Sequence, residues 1–331
     1  MRRTLLATGL ALLLAGTGCA ASQRTPAASP AGTPTASRQD AGQVERTLAS
    51  LRRVDDLPLY EMTYVGDYDP TVGISGTPEA SPFGCSLFAA LGDRTRPLFA
   101  RNFDWDPNPA LVLRTDPPDG YASISVVDIS YLGVGADPAG DRRLLNAPLL
   151  PFDGMNERGL AVGLAADDGA TARPVPGRPT VGSVRILRLV LDGAATVDEA
   201  IAVFGRYNLD FDGGPPLHYL LADATGASAV VEFVDGEMRA EKGRGAWQAL
   251  TNVPAVGVAD RDLRRDHRYG VLAEALDRAG GTVDAPSALR LLGSVRQAHT
   301  RWSVVYGLKS GEVRLVTAAG GGERSYRLAM S

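Results

Sequence analysis

Residues 84–105 read GCSLFAALGDRTRPLFARNFDW. Two apolar runs flank a charged turn segment, GDRTRP, that ends in proline, which is the pattern of a β-hairpin. Folded that way, CSL at 85–87 lies beside NFD at 102–104. Cys85 then opens the first strand, directly after a glycine. Strand alternation puts Arg101, Phe103 and Trp105 on one face and Asn102 and Asp104 on the other. Arg101 and Asp104 therefore diverge unless a bulge or a strand end re-aims one of them. A guanidinium beside a thiol lowers its pKa, and a carboxylate can hold an ammonium group. The same pair also reads as an ordinary strand-end ion pair.

Short strand-like runs continue outward from this hairpin at ALVLRT, YASISVVDIS and, after the turn DGMNERG, GLAVGLAA. Helical spacing follows in SVRILRLVLDGA, where Ser183 is a candidate N-cap, and in TVDEAIAVFGRY, where Thr196 and Glu199 have capping-box spacing. Strands resume at LHYLLADATG, ASAVVEFVDG and WQALTNV. Helices are expected in DLRRDHRYGVLAEALDRAG and APSALRLLGSV, and strands in RWSVVYGLKSG, EVRLVTA and RSYRLAM. Upstream, VERTLASLRR at 44–53 has helical spacing, and PLYEMTYVGDYD alternates with Tyr60, Met62 and Tyr64 on one face. Blocks of strands and helices in this order predict an α+β fold of antiparallel sheets covered by helices, without regular βαβ alternation. No internal repeat is apparent.

The chain has 331 residues, 44% hydrophobic and 22% charged, with a formal net charge of −4. That is globular composition, and the mild acidity argues against a surface that tracks nucleic-acid phosphates. Its first residues, MRRTLLATGLALLLAGTGC, set two arginines before an apolar run and small residues before Cys19. This is the layout of an export signal over 1–18, and GTGC resembles a lipoprotein cleavage box with Cys19 as the lipid-bearing residue, although Gly16 stands where leucine is preferred. The Ala, Ser, Thr and Pro-rich stretch that follows is expected to be a disordered tether over 19–43. Beyond it lie a segment over 44–84 with helix and strand patterns and a large folded region over 85–331.

Cys19 and Cys85 are the only cysteines. If Cys19 carries lipid, Cys85 has no disulfide partner and is either an inert buried thiol or a nucleophile. The three histidines, His218, His267 and His299, lack zinc-ligand spacing, and no G-x-S-x-G occurs. His267 sits in a charged helical stretch facing solvent, so Cys85 has no obvious histidine base. A cysteine at a chain terminus supplies its own: the α-amino group, with a pKa of about 7.7–8.0, can take the thiol proton. Cleavage between Gly84 and Cys85 would create that terminus.

Cysteine with S-L-F-A-A, then ARNFDW, GMNERGLAVGL, ALTN and HRYGVLAEAL, in this order, resembles the linear amide C–N hydrolases. This N-terminal-nucleophile family includes choloylglycine hydrolases, penicillin V acylases, acid ceramidase and isopenicillin N acyltransferases. The resemblance covers nearly all of 85–331 and implies a four-layer αββα sandwich. It implies Cys85 as nucleophile with its own amine as base, Arg101 and Asp104 beside it, Asn252 as an oxyanion donor, and Arg268 as an organising residue, with Arg264 and Arg265 as close rivals. Bile-salt and penicillin V enzymes carry an asparagine where this chain has Ala165 and Ala166, so the second oxyanion donor is missing or replaced by a backbone N–H. Asn156 is expected to shape the hairpin turn instead.

The expected activity is hydrolysis of a linear N-acyl amide outside the cytoplasm, through a Cys85 thioester, after self-cleavage at Gly84–Cys85. The acyl group is expected to be apolar, with side chains from DWDPNPALVL and ISYLGVGAD lining its pocket. No cofactor, metal or nucleic acid is implied. The expected partners are the substrate, a membrane through the lipid, and the 19–84 segment held non-covalently on 85–331. The alternatives are an acyltransferase of the same family, a non-catalytic lipid-anchored binding protein, and a Cys–His peptidase using His218 or His267.

Overall fold

In a computed structural model of the chain, which describes residues 36–72, 84–211 and 216–331, the hairpin is present. Cys85 pairs with Phe103, Ser86 with Asn102 and Leu87 with Arg101, antiparallel. The export signal, Cys19, the tether up to residue 35 and the loop at 73–83 lie outside the described residues.

The elements begin α1 (Ala41–Ala49), β1 (Arg52–Asp55), β2 (Leu59–Thr63), β3 (Gly84–Ala90), β4 (Leu98–Asp104), β5 (Ala110–Thr115), β6 (Ser123–Asp128), β7 (Pro151–Asn156) and β8 (Ala161–Ala166). They continue with β9 (Thr180–Gly182), α2 (Ile186–Gly193), α3 (Val197–Arg206), β10 (Asn208–Asp210), β11 (Leu217–Ala222), β12 (Ser228–Val234), β13 (Glu237–Lys242) and β14 (Trp247–Leu250). The last are α4 (Asp260–Leu263), α5 (His267–Arg278), α6 (Ala285–Ser294), β15 (Thr300–Gly307), β16 (Glu312–Thr317) and β17 (Arg324–Arg327).

Two sheets face each other. One is nine-stranded, in the order β1-β2-β5-β6-β7-β8-β11-β12-β13, and the other six-stranded, β14-β3-β4-β15-β16-β17. Helices α2 and α3 pack on the first sheet, and α5 and α6 on the second, which makes the layers α, β, β, α. Alternation along β3 shows why the inner strands are apolar throughout. Cys85, Leu87 and Ala89 enter the core between the sheets, while Phe88 and Ala90 join the layer beneath α5 and α6. A strand covered on both faces reads as a continuous apolar run. Each large side chain so buried contributes roughly 1.5–3 kcal/mol.

Residues 36–72 are built into this fold. Tyr60, Met62 and Tyr64 pack on one face with Leu111, Leu113 and Val127, as their alternation predicts. β2 runs parallel to β5, an exception to the expected antiparallel pairing. Packing starts earlier than the expected tether boundary: Ala36 is buried, and Asp40 caps α1 in a full capping box with Gln43. The helix therefore occupies 41–49 rather than 44–53, and Arg52 and Arg53 start a strand.

Other expectations shift for local reasons. Ser183 does not cap α2, which begins at Ile186 without a side-chain cap. Thr196 does cap α3, but Glu199 reaches the N–H of Ala195 rather than that of the cap. The helix expected across 262–280 breaks because the Asp266 side chain accepts the N–H of Tyr269 and starts α5 afresh. β13 carries no apolar alternation, being exposed along most of its length, and has no counterpart in the expected elements.

Candidate active site

The five residues singled out from sequence converge at one end of the β3–β4 hairpin. The Cys85 side chain is fully buried, and its Sγ accepts a hydrogen bond from Arg101 Nη2 at 3.0 Å. Burial pushes the thiol up from its ordinary pKa, while the charge of Arg101 and the backbone N–H of Asp104 pull it down.

Arg101 is itself wholly buried and is held from below. Its Nη1 donates to the Phe152 carbonyl at 2.6 Å and to Asp153 Oδ2 at 3.2 Å, and its guanidinium lies 5.0 Å from the Phe103 ring centre. Asp153 also accepts from Trp302 Nε1 at 3.2 Å and from the Tyr306 hydroxyl. Burial raises the Asp153 carboxyl, and Arg101, Tyr306 and Trp302 oppose that rise. Sequence reasoning missed Asp153. The available signal was a lone acid in PFDGMN, inside a strand buried along its whole length.

Asp104 lies on the opposite face of β4 from Arg101, as alternation requires. The strand end brings it to the site: Asp104 pairs with Gly84, and the register of the neighbouring β15 shifts between Thr300 and Trp302. Oδ1 accepts from the Thr300 hydroxyl. Oδ2 is buried with no hydrogen-bond donor among the described residues, and Arg268 Nη1 stands 3.8 Å away. A methyl added at Gly84 would come within 3.3 Å of this orphan oxygen and 3.2 Å of His299 Nε2. Burial raises the Asp104 carboxyl against the pull of Thr300, Arg268 and His299.

Asn252 follows β14, the neighbour of β3. Its Oδ1 accepts from the Cys85 backbone N–H at 2.7 Å and from Arg268 Nη2 at 2.9 Å, and its Nδ2 donates to the Ala166 carbonyl at 2.9 Å. Arg268, in the first turn of α5, also donates to the Cys85 carbonyl at 2.7 Å. Its rivals lie outside the site, Arg264 paired with Asp260 and Asp277 and Arg265 with Asp262. Ala166, where an asparagine was missing, offers a carbonyl that orients Asn252. Asn156 shapes the β7–β8 turn by accepting from the N–H groups of Arg158 and Leu160.

Neither rival histidine meets the thiol. His267 is exposed, and both ring nitrogens of His218 are engaged, with Glu232 Oε1 at 3.0 Å and with the Thr251 carbonyl at 2.7 Å. Asp167, His218 and Glu232 lie within metal-ligand reach of one another. Their chemistry fits a hydrogen-bond network instead, because Glu232 also accepts two backbone N–H groups and Asp167 one. An aromatic cluster adjoins Cys85 within the same core: Phe103 stacks on Trp302 at 4.0 Å, Phe152 meets Phe103 and Tyr131, and Trp105 packs by Tyr131.

Two facing sheets with helices outside, and a cysteine opening an inner strand, define an N-terminal-nucleophile-type sandwich. Two solved structures share it: a mutant of conjugated bile acid hydrolase from Clostridium perfringens (TM-score 0.57, 16% identity, covering 74% of this chain and 92% of that one), and penicillin V acylase from Agrobacterium tumefaciens (TM-score 0.55, 19% identity, 74% and 86%). The sequence profile of the linear amide C–N hydrolases, choloylglycine hydrolase family, matches residues 85–255, and the chain belongs to that family. It is 28% identical over 229 residues to penicillin V acylase from Pectobacterium atrosepticum, covering 64% of this chain and 57% of that enzyme's length.

Proposed function

We propose that this protein is an exported amidohydrolase that cuts the C–N bond of linear N-acyl amides, with Cys85 as an N-terminal nucleophile freed by cleavage at Gly84–Cys85. One observation carries the reading. The Cys85 sulfur and backbone nitrogen are each held by a separate group, Arg101 and Asn252, while an orphan carboxylate oxygen of Asp104 lies against Gly84. An ammonium group formed at residue 85 would supply the positive partner that this oxygen lacks. The family match also begins on Cys85 itself.

Maturation needs one water. The thiol attacks the Gly84 carbonyl, the C–N bond breaks as the Cys85 nitrogen takes the thiol proton, and water hydrolyses the thioester to the Gly84 carboxylate. In catalysis the α-amine takes the thiol proton and the thiolate attacks the amide carbonyl. The second Nδ2 hydrogen of Asn252, which has no acceptor among the described residues, serves the oxyanion. The ammonium protonates the leaving amine, and water then releases the acid. Arg101 favours the thiolate, and Arg268 fixes Asn252 and the Cys85 carbonyl.

Trp105 and Tyr131, on the two loops expected to line an acyl pocket, belong to the aromatic cluster and suit an apolar or aryl acyl group. The relative's name, penicillin V acylase, points the same way. Cys19 anchors the chain to the membrane, and the pairing of β2 with β5 keeps the short piece on the catalytic piece after cleavage.

Intact mass of the purified protein, wild type and Cys85→Ala, tests the reading, together with hydrolysis of penicillin V and a fatty-acyl amide. The expected result is two pieces meeting at 84/85 in wild type, one piece in the variant, and activity in the first only. Wild type that stays uncut yet hydrolyses amides would sink it. Acyl transfer to an added amine would favour the acyltransferase alternative.

A further inference from the structure

The loop that carries Asn252 is gripped at both ends by one buried pair. His218 on β11 and Glu232 on β12 lie one step beyond the last register pair, Tyr219 with Val231, and both side chains are fully buried. His218 Nε2 reaches the Thr251 carbonyl, the peptide unit immediately before Asn252. Glu232 takes the other end, Oε1 accepting from the Ala255 N–H at 2.7 Å and Oε2 from the Val256 N–H at 2.9 Å. Thr251 leaves β14 of the six-stranded sheet, whereas β11 and β12 belong to the nine-stranded sheet. The pair thus bridges the sheets at the point where Asn252 emerges.

The protonation state follows from the partners. Two backbone N–H groups donate to the two oxygens of Glu232, which selects the carboxylate. Two acceptors face the His218 ring, Glu232 Oε1 at 3.0 Å from Nδ1 and the Thr251 carbonyl at 2.7 Å from Nε2. Burial works to raise the Glu232 carboxyl, but His218 and the two N–H groups outweigh it and hold the group below its ordinary value.

We infer that His218 and Glu232 form a buried hydrogen-bonded clamp that positions the Asn252 amide for the oxyanion. This rests on the oxyanion role proposed for Asn252. Neither residue touches the substrate; both act through the loop, and the chain makes a positioning pair of the histidine that the Cys–His alternative would have used as a base.

The test is a double-mutant cycle on processed enzyme, with penicillin V or whichever amide wild type cleaves fastest. Asn252→Ala should lower kcat by roughly 100- to 1,000-fold, as loss of an oxyanion donor does. His218→Gln and Glu232→Gln should each lower kcat at least about 10-fold with KM within about 2-fold, since small misplacements of a catalytic group are costly. In the Asn252→Ala background the same substitutions should cost less than about 2-fold further, because residues acting as one unit are non-additive. Equal losses in both backgrounds, or unchanged kcat in the single variants, overturn the clamp alone. Unchanged kcat in Asn252→Ala overturns the oxyanion role and the clamp with it. If neither clamp variant folds and matures, the pair is a folding determinant and the proposal fails.

Discussion

Replacing Arg101 by Met separates what this residue does for the fold from what it does for the thiol. The side chain is fully buried and paired with the equally buried Asp153 at 3.2 Å. Removing it leaves the Asp153 carboxylate in the core with only the Trp302 and Tyr306 donors. Breaking a buried pair from one side typically costs 3–5 kcal/mol. For a chain of this size, at roughly 2 °C per kcal/mol, Tm should fall by about 6–10 °C. Adding Asp153→Asn removes the stranded charge and should restore at least half of that loss. Activity should not return, because the thiolate still lacks its cation. Thermal unfolding reads the first effect. The rate of Cys85 alkylation by iodoacetamide against pH reads the second, and its midpoint should move upward in both variants, since Arg101 pulls the thiol down in the native protein. An unchanged Tm and alkylation midpoint in Arg101→Met would refute this account.

Two further outcomes concern the scaffold. Gly159 turns the β7–β8 hairpin at φ 76°, and a Cβ there would sit 2.1 Å from the Leu308 carbonyl oxygen. Gly159→Ala should therefore destabilise by more than the roughly 1–2 kcal/mol of left-handed backbone alone, measured by urea unfolding. Burial pushes the Asp128 carboxyl up to about 6 from 3.8. The native state then binds the extra proton, so stability should fall as pH rises through the window from about 4 to 6, by up to roughly 3 kcal/mol. Asp128→Asn should flatten that stretch of the stability–pH curve.

Much of the site was legible because its chemistry is local in sequence. The turn GDRTRP sets the β3–β4 register, and that register alone places Arg101 beside Cys85 on the same face. Asn252 and Arg268 were found through motifs rather than geometry. Asp104 exposed the limit of alternation: the expected divergence is real, and only the end of the strand, with the shift in β15, brings the carboxylate to Gly84.

By itself, the amino-acid order determined antiparallel sheets covered by helices and the strand holding the thiol, through periodicity and turn chemistry that act over a few residues; the four-layer stacking was implied only by the family resemblance. Partners far apart in the chain were decided only by tertiary structure. Asp153 beneath Arg101, the His218–Glu232 bridge to Thr251, and the Ala166 carbonyl that orients Asn252 all depend on how two sheets stack. The physical reason is that a buried polar group must find a partner wherever the fold brings one, and no short-range pattern encodes which strand of the facing sheet will supply it.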